Sequence, residues 1–218
     1  MQRFLYFYCL FTKLTAVKKS IIFFLFAIYF LASSSSCKKT SVADINNDFP
    51  NKTGTWWKYK VFDSVNLTLD IITINILGNS TLEDGTGVKI WQIHSLNSIR
   101  PTDTNYIYTG SDGVKFYFTK SLSSFYKSYK FPLVIGSYWI GTQSRDTSKV
   151  ISQSNLSVLA GTFNSSYLIE RSVRYIPNGS LHEKDYFYPN VGLITRTQTQ
   201  IGGGYSNFYW ELVTYSIK

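Results

Sequence analysis

His94 and His182 are the only imidazoles in the 218-residue chain, so a His-rich metal site or a relay of several imidazoles is excluded. His94 sits in Trp91-Gln-Ile-His-Ser. A general base there needs a nucleophile or water in reach and an acid to orient it. The sequence places none, and no G-x-S-x-G elbow supplies a serine. His182-Glu183-Lys184-Asp185 offers one imidazole and two carboxylates. A catalytic zinc wants three good ligands converging on one point, so this run reads as the base of a hairpin with solvated charge. Other carboxylates, Asp63, Asp70, Glu83, Asp84, Asp103, Asp112, Asp146, Glu170 and Glu211, are scattered. A glycosidase needs two facing each other across a sugar, and nothing in the sequence selects a pair. Gly202-Gly203-Gly204 lacks the Lys-Ser/Thr and the helix of a phosphate loop and reads as a hairpin connection. The expectation is no catalytic residue, no metal and no cofactor.

The densest feature is Lys115–Phe131, KFYFTKSLSSFYKSYKF, with four lysines, seven aromatic rings and no acid. Alternation along a strand sends every second side chain inward. Phe116 and Phe118 then share one face with Tyr117 opposite, and Phe125, Lys127, Tyr129 and Phe131 share another with Tyr126 opposite. Tyr117 and Tyr126 are therefore expected to lie exposed beside Lys115 and Lys127. Such a surface suits an anionic or glycan ligand, since charge attracts and rings stack. The competing reading is two strands whose rings pack inward while Lys blunts an edge.

Charge is unevenly distributed. Arg3, Lys13, Lys18 and Lys19 are the only charged residues before Cys37, so part of the net +9 belongs to the N-terminal segment. From Cys37 on, 18 basic residues face 13 acidic ones, a net of +5. Lys18-Lys19-Ser20 precedes a 12-residue apolar run, Ile21–Ala32, and then Ser33–Ser36 and Cys37. A basic stretch, a short apolar stretch and a small-residue exit make a secretory signal peptide over residues 1–36. A membrane span needs about 20 apolar residues. Residues 1–16 fit poorly, and translation starting at Val17 would give a conventional signal. Residues 37–48 have few apolar groups and no period, and read as a flexible tether.

The boundary SSSSCKKT resembles the end of a bacterial lipoprotein signal of the loose form seen in Bacteroidota, over residues 18–39. It implies that Cys37 carries lipid and anchors the chain to the outer membrane. The pattern departs in one place: Ser34 stands where Leu is usual, leaving ordinary cleavage after Ser34 or Ser36 open. Otherwise Cys37 would be a lone exposed thiol in an oxidising compartment. Lys38-Lys39 departs from the acids that often follow the Cys in surface-exported lipoproteins, which favours the periplasmic face. Nucleic acid is excluded as a partner at that address; envelope glycan or lipid remains.

The elements that position these residues read as antiparallel sheet. After Cys37 there are two Ala, no Met and four Glu, while β-branched and aromatic residues dominate. Strand-like runs cover 56–62, 67–77, 88–96, 106–109, 114–119, 137–143, 149–159, 162–173, 184–188, 193–200 and 205–216. Turn residues fall between them, as in Asp84-Gly85 and Ser111-Asp112-Gly113. A helical turn fits only at 120–130. The fold class is all-β, an antiparallel meander forming a curved sheet, half-barrel or sandwich.

An internal repeat divides it. FPNKTGTWW (49–57) and FPLVIGSYW (131–139) share Phe-Pro-x-x-x-Gly-[Thr/Ser]-x-Trp, pairing Gly54 with Gly136 and Trp57 with Trp139. Weaker counterparts follow in the same order: Asp84-Gly-Thr-Gly with Ala160-Gly-Thr-Phe, and Tyr106-Ile-Tyr with Tyr186-Phe-Tyr. Two similar halves, 49–130 and 131–218, are expected. The order FPLxxGxYW, AGTFxSxY, DYFYPNVGLI (Phe131–Trp139, Ala160–Tyr167, Asp185–Ile194) resembles β-rich domains of bacterial lipoproteins and secreted proteins, which implies fold and address but no chemistry. The functional expectation is a non-catalytic, lipid-anchored binding or structural module of the cell envelope. A lipid-carrier-like cup for an apolar ligand is the first alternative and an envelope hydrolase the second. A large apolar concavity separates cup from filled module.

Overall fold

A computed structural model describes residues 48–97, 102–121, 125–142, 145–175, 179–202 and 206–218. Cys37 and the segment before it lie outside the described residues, as do the tether residues up to 47.

Among the described residues, twelve strands form one antiparallel sheet. They are β1 (Trp56–Asp63), β2 (Thr68–Thr81), β3 (Gly87–Ser95), β4 (Asp103–Gly110), β5 (Gly113–Tyr117), β6 (Lys127–Tyr129), β7 (Tyr138–Ile140), β8 (Asp146–Val158), β9 (Gly161–Arg174), β10 (Ser180–Tyr188), β11 (Gly192–Ile201) and β12 (Ser206–Ser216). Their spatial order is β6-β5-β4-β3-β2-β1-β12-β11-β10-β9-β8-β7. Two meanders therefore lie side by side, joined where β1 pairs with β12 from Trp56↔Ser216 to Asp63↔Phe208. Period-two patterning builds each strand. In β1, Trp57, Tyr59, Val61 and Asp63 turn inward while Lys60 and Phe62 face out. The fold class is as expected: all-β and curved, with no second layer. The expected strands match eleven of the twelve; β6 falls in the stretch where a helical turn was considered.

The sheet has to roll. β6 and β7 occupy its two opposite edges, yet Tyr129 and Tyr138 are consecutive strand ends. At about 3.3–3.6 Å per residue, the connection spans at most about 30 Å. Irregular register between Lys58 and Tyr59, Ile76 and Gly78, Val150 and Ser152, and Tyr186 and Phe187 adds the local bend and twist that rolling requires. The edges do not close by backbone pairing. Between the two edge strands themselves, Trp139 Nε1 donates to the Ser128 carbonyl at 3.1 Å.

The repeat residues sit at two comparable turns. Gly54 and Gly136 both have φ in the left-handed region, +84° and +87°. Gly54 N–H donates to the Ile76 carbonyl, Thr55 N–H to Lys52, and Ile76 N–H to Thr55. Gly136 N–H donates to Val150, Ser137 N–H to Val134, and Val150 N–H to Ser137. The aligned Trp three residues on, Trp57 and Trp139, is 2% and 3% exposed. Trp57 Nε1 donates to the Val191 carbonyl at 2.6 Å, in the other meander, just as Trp139 reaches back to Ser128.

Inside the roll, Trp57, Trp91, Phe116, Tyr129, Phe131, Trp139, Phe187 and Trp210 belong to one core cluster with Ile72, Ile107, Val150 and Ile194. Phe49 stands at the end where the chain comes in. Its ring lies 5.6 Å from Trp91 and 6.1 Å from Phe187, stacked on both, with Phe116, Tyr129 and Phe131 also in contact. A smaller cluster sits on the outer face, where Leu82 and Val88 of the β2–β3 hairpin cover Tyr117.

Candidate functional site

The interior keeps a cavity of about 330 Å³. That is at the small end of ligand pockets, which run from about 300 to 1,000 Å³. Both meanders line it. Trp57, Tyr59, Ile74, Trp91, Ile93 and Phe116 form one wall, with Trp210 beside them. Lys127, Arg171, Glu183 and Arg196 form another.

Chain direction locates its mouth. Odd-numbered strands run away from the end where Phe49 enters, and even-numbered strands return. Lining residues at the Phe49 end, including Pro50, Phe187 and Gly192, are buried. The exposed lining residues, Asp103, Phe118 and Tyr175, follow or begin strands at the opposite end. The cavity is therefore plugged by Phe49 and opens away from the N-terminal end.

The charged wall is a closed ionic network. Lys127 Nζ lies 3.0 Å from Glu183 Oε2 and 2.6 Å from Asp185 Oδ2. Arg171 binds Asp146 through Nε at 2.9 Å and Nη2 at 3.0 Å, and Glu183 through Nη1 at 3.0 Å; Nη2 also donates to the Tyr126 carbonyl. Arg196 Nε and Nη2 bind Asp185 at 2.7 and 3.1 Å. Tyr129 OH donates to Asp185 Oδ2 at 2.6 Å. Three cations meet three carboxylates, so the cluster is neutral. It also ties β6 to β9, β10 and β11 across the unpaired edge.

The surroundings set each ionisation. Burial pushes the Asp185 carboxyl up, but Arg196 and Lys127 outweigh it and hold the group well below the usual carboxylate range. Glu183 is lowered in the same way, burial losing to Lys127 and Arg196. Burial, with Arg196 adding to it, pulls the Lys127 ammonium down against its two carboxylates. The phenols of Tyr59, Tyr126 and Tyr129 are pushed up, foremost by burial. Tyr59 OH reaches the Leu193 carbonyl at 2.9 Å. Asn105 Oδ1 in the lining is buried and accepts no hydrogen bond from any described residue.

The four sequence candidates for ligand binding do not converge. Tyr117 is buried at 7%, not exposed, because the β2–β3 hairpin folds over it. Lys115 beside it is half-buried and paired with Asp112. Lys127 is 4% exposed and wholly engaged inside, so it offers no outward charge. Tyr126 is half-buried and lines the cavity, its ring 3.7 Å from Phe118 and nearly parallel to it. The solvated hairpin base expected at His182–Asp185 is half wrong. His182 and Lys184 face out, but Glu183 and Asp185 face in and form the heart of the network. Alternation was readable there; the cationic partners, 56 residues or more away for Lys127, were not. His94 is exposed and meets Thr102 Oγ1 at 3.1 Å. His182 meets Ser172 Oγ at 3.1 Å, also on the exposed outer face. Among the described residues no group of His, Cys, Asp and Glu is arranged to hold a metal.

No protein-family model matches the chain, nor does any curated protein sequence. Two solved structures are similar in fold. One, described as a candidate lipoprotein, comes from Parabacteroides distasonis, with 15% identity, TM-score 0.45, and 77% of this chain and 97% of that chain covered. The other, described as a candidate exported protein with a YmcC-like fold, comes from Bacteroides fragilis, with 9% identity, TM-score 0.48, and 77% and 98% covered.

Proposed function

We propose that the chain is a non-catalytic binding module of the bacterial cell envelope, anchored to the outer membrane through lipid on Cys37, and that its rolled sheet holds one small ligand. The observation that carries the reading is the cavity of about 330 Å³, walled by aromatic rings, stoppered by Phe49 and open at the far end. The binding module and the apolar cup then become one device. Lys38-Lys39 favours the periplasmic side of the outer membrane.

Hydrolysis is the weaker reading. Glu183 and Asp185 lie on one strand instead of facing each other, and both are held in ion pairs. The Ser172–His182 pair sits on the outer face, away from the cavity.

The test is titration with the fluorescent apolar probe 1-N-phenylnaphthylamine. Wild-type protein is expected to bind one probe saturably. Ile93→Trp, which fills the cavity from its apolar wall, is expected to lose binding while melting normally. Equal, unsaturable signal from both proteins contradicts the reading.

A further inference from the structure

We infer that the cavity selects an uncharged amphiphile, an apolar body carrying a hydroxyl or amide head, over carboxylates, phosphates and ammonium compounds. The inference rests on the cavity being a ligand site, and it concerns the head group alone.

Every charge in the ionic wall is already matched: Lys127, Arg171 and Arg196 against Asp146, Glu183 and Asp185. A ligand anion entering here would lose its water and find only cations already committed to carboxylates. A ligand cation would meet carboxylates committed in the same way. Either way a charge is buried without a partner, which is the costly case. The remaining carboxylate of the lining, Asp103, is exposed at the mouth and stays in water.

What the lining leaves unused is neutral. Asn105 Oδ1, in a residue 5% exposed, is a buried acceptor to which no described residue donates. Such an atom costs about 1–3 kcal/mol of unrecovered desolvation. A hydroxyl or amide N–H arriving with the ligand recovers part of it, whereas a carboxylate has no proton to give. Gln198 and Gln200 alternate with Arg196 along β11 and extend the uncharged polar lining toward the mouth. The facing Trp57, Ile74, Trp91 and Ile93 accept an apolar body of either ring or chain form.

The experiment uses Cys37→Ser protein, the whole chain without a lipid attachment site. Bound 1-N-phenylnaphthylamine is displaced at pH 7 by 1-decanol, decanoate and decylamine, which share a ten-carbon chain and differ in the head. Decanol is expected to displace the probe at a concentration about tenfold below that of either charged homologue, the order of one hydrogen bond plus avoided charge burial. In Asn105→Leu the probe still binds and the advantage of decanol shrinks. Decanoate or decylamine matching decanol, or an undiminished preference in Asn105→Leu, overturns the inference while leaving the cavity as a ligand site. Failure of the probe itself to bind overturns both.

Discussion

Asp185 is the residue on which the interior turns. It receives Lys127, Arg196 and the Tyr129 hydroxyl at once. Removing one partner of a buried pair typically costs about 3–5 kcal/mol, because the other charge is stranded. Asp185→Ala is therefore expected to lower stability by that amount in denaturant titration, and more than Lys184→Ala, whose partner Glu170 is solvent-accessible. The same groups fix the pH range. Asp185 and Glu183 are depressed in the fold, so their stabilisation is complete above the unfolded carboxylate pKa of about 4 and is lost as pH falls below it. Tyr59, Tyr126 and Tyr129 are raised, so their stabilisation holds below the unfolded phenol pKa of about 10 and is lost as pH climbs beyond it. Lys127, lowered, adds a rise in stability as pH climbs toward the unfolded ammonium pKa of about 10.4, mostly below the range in which the tyrosines act. Thermal melts across pH are expected to show losses below about pH 4 and again above about pH 10. A melting temperature unchanged from pH 5 to 2 would contradict this account of the cluster.

At the scale of elements, the strands were largely legible, because alternation and turn residues are local. Eleven runs could be placed from patterning alone. β6 showed only as alternation within the 125–131 run and was missing from the expected strands: Lys-Ser-Tyr is too short to mark a strand by itself, and it is strand because β5 pairs with it, Val114↔Tyr129 to Phe116↔Lys127. The inward face of β10 was legible as geometry and misread as chemistry, since two acids at alternate positions look solvated until Lys127 and the arginines arrive from other strands. Tyr117 failed similarly, through a hairpin folding back from β2–β3. The Phe-Pro-x-x-x-Gly-x-x-Trp repeat leads to equivalent demands on its two glycines. An L-residue in left-handed backbone costs about 1–2 kcal/mol. Gly54→Ala and Gly136→Ala are expected to cost about that much each and to match within error, since an added Cβ meets only the Lys218 side chain at 3.6 Å in one and open space in the other. Trp57→Ala and Trp139→Ala are expected to cost about 3–5 kcal/mol each. Clearly unequal costs within either pair would argue against a duplicated unit.

At the scale of the molecule, rolling follows from a connection that is short in sequence between strands at opposite edges of the sheet. Rolling a twelve-stranded meander leaves an interior, and the interior is only partly filled by rings. The curved sheet was expected from the chain, whereas the lining of the cavity and its ionic wall were not, because both are assembled from strands of both meanders. The address was the reverse case, readable only as sequence. Cys37→Ser is expected to move the protein from the membrane to the soluble fraction, and wild-type protein already soluble would end the lipid-anchor reading. The claim that joins address and fold is that the cavity carries a ligand in the envelope. Native mass spectrometry of Cys37→Ser protein purified without detergent from its own cells tests it most directly. The account predicts a one-to-one small-molecule adduct on the otherwise unmodified chain, absent from the same protein carrying Ile93→Trp. A bare chain mass in both, from cells in which both fold normally, would contradict it.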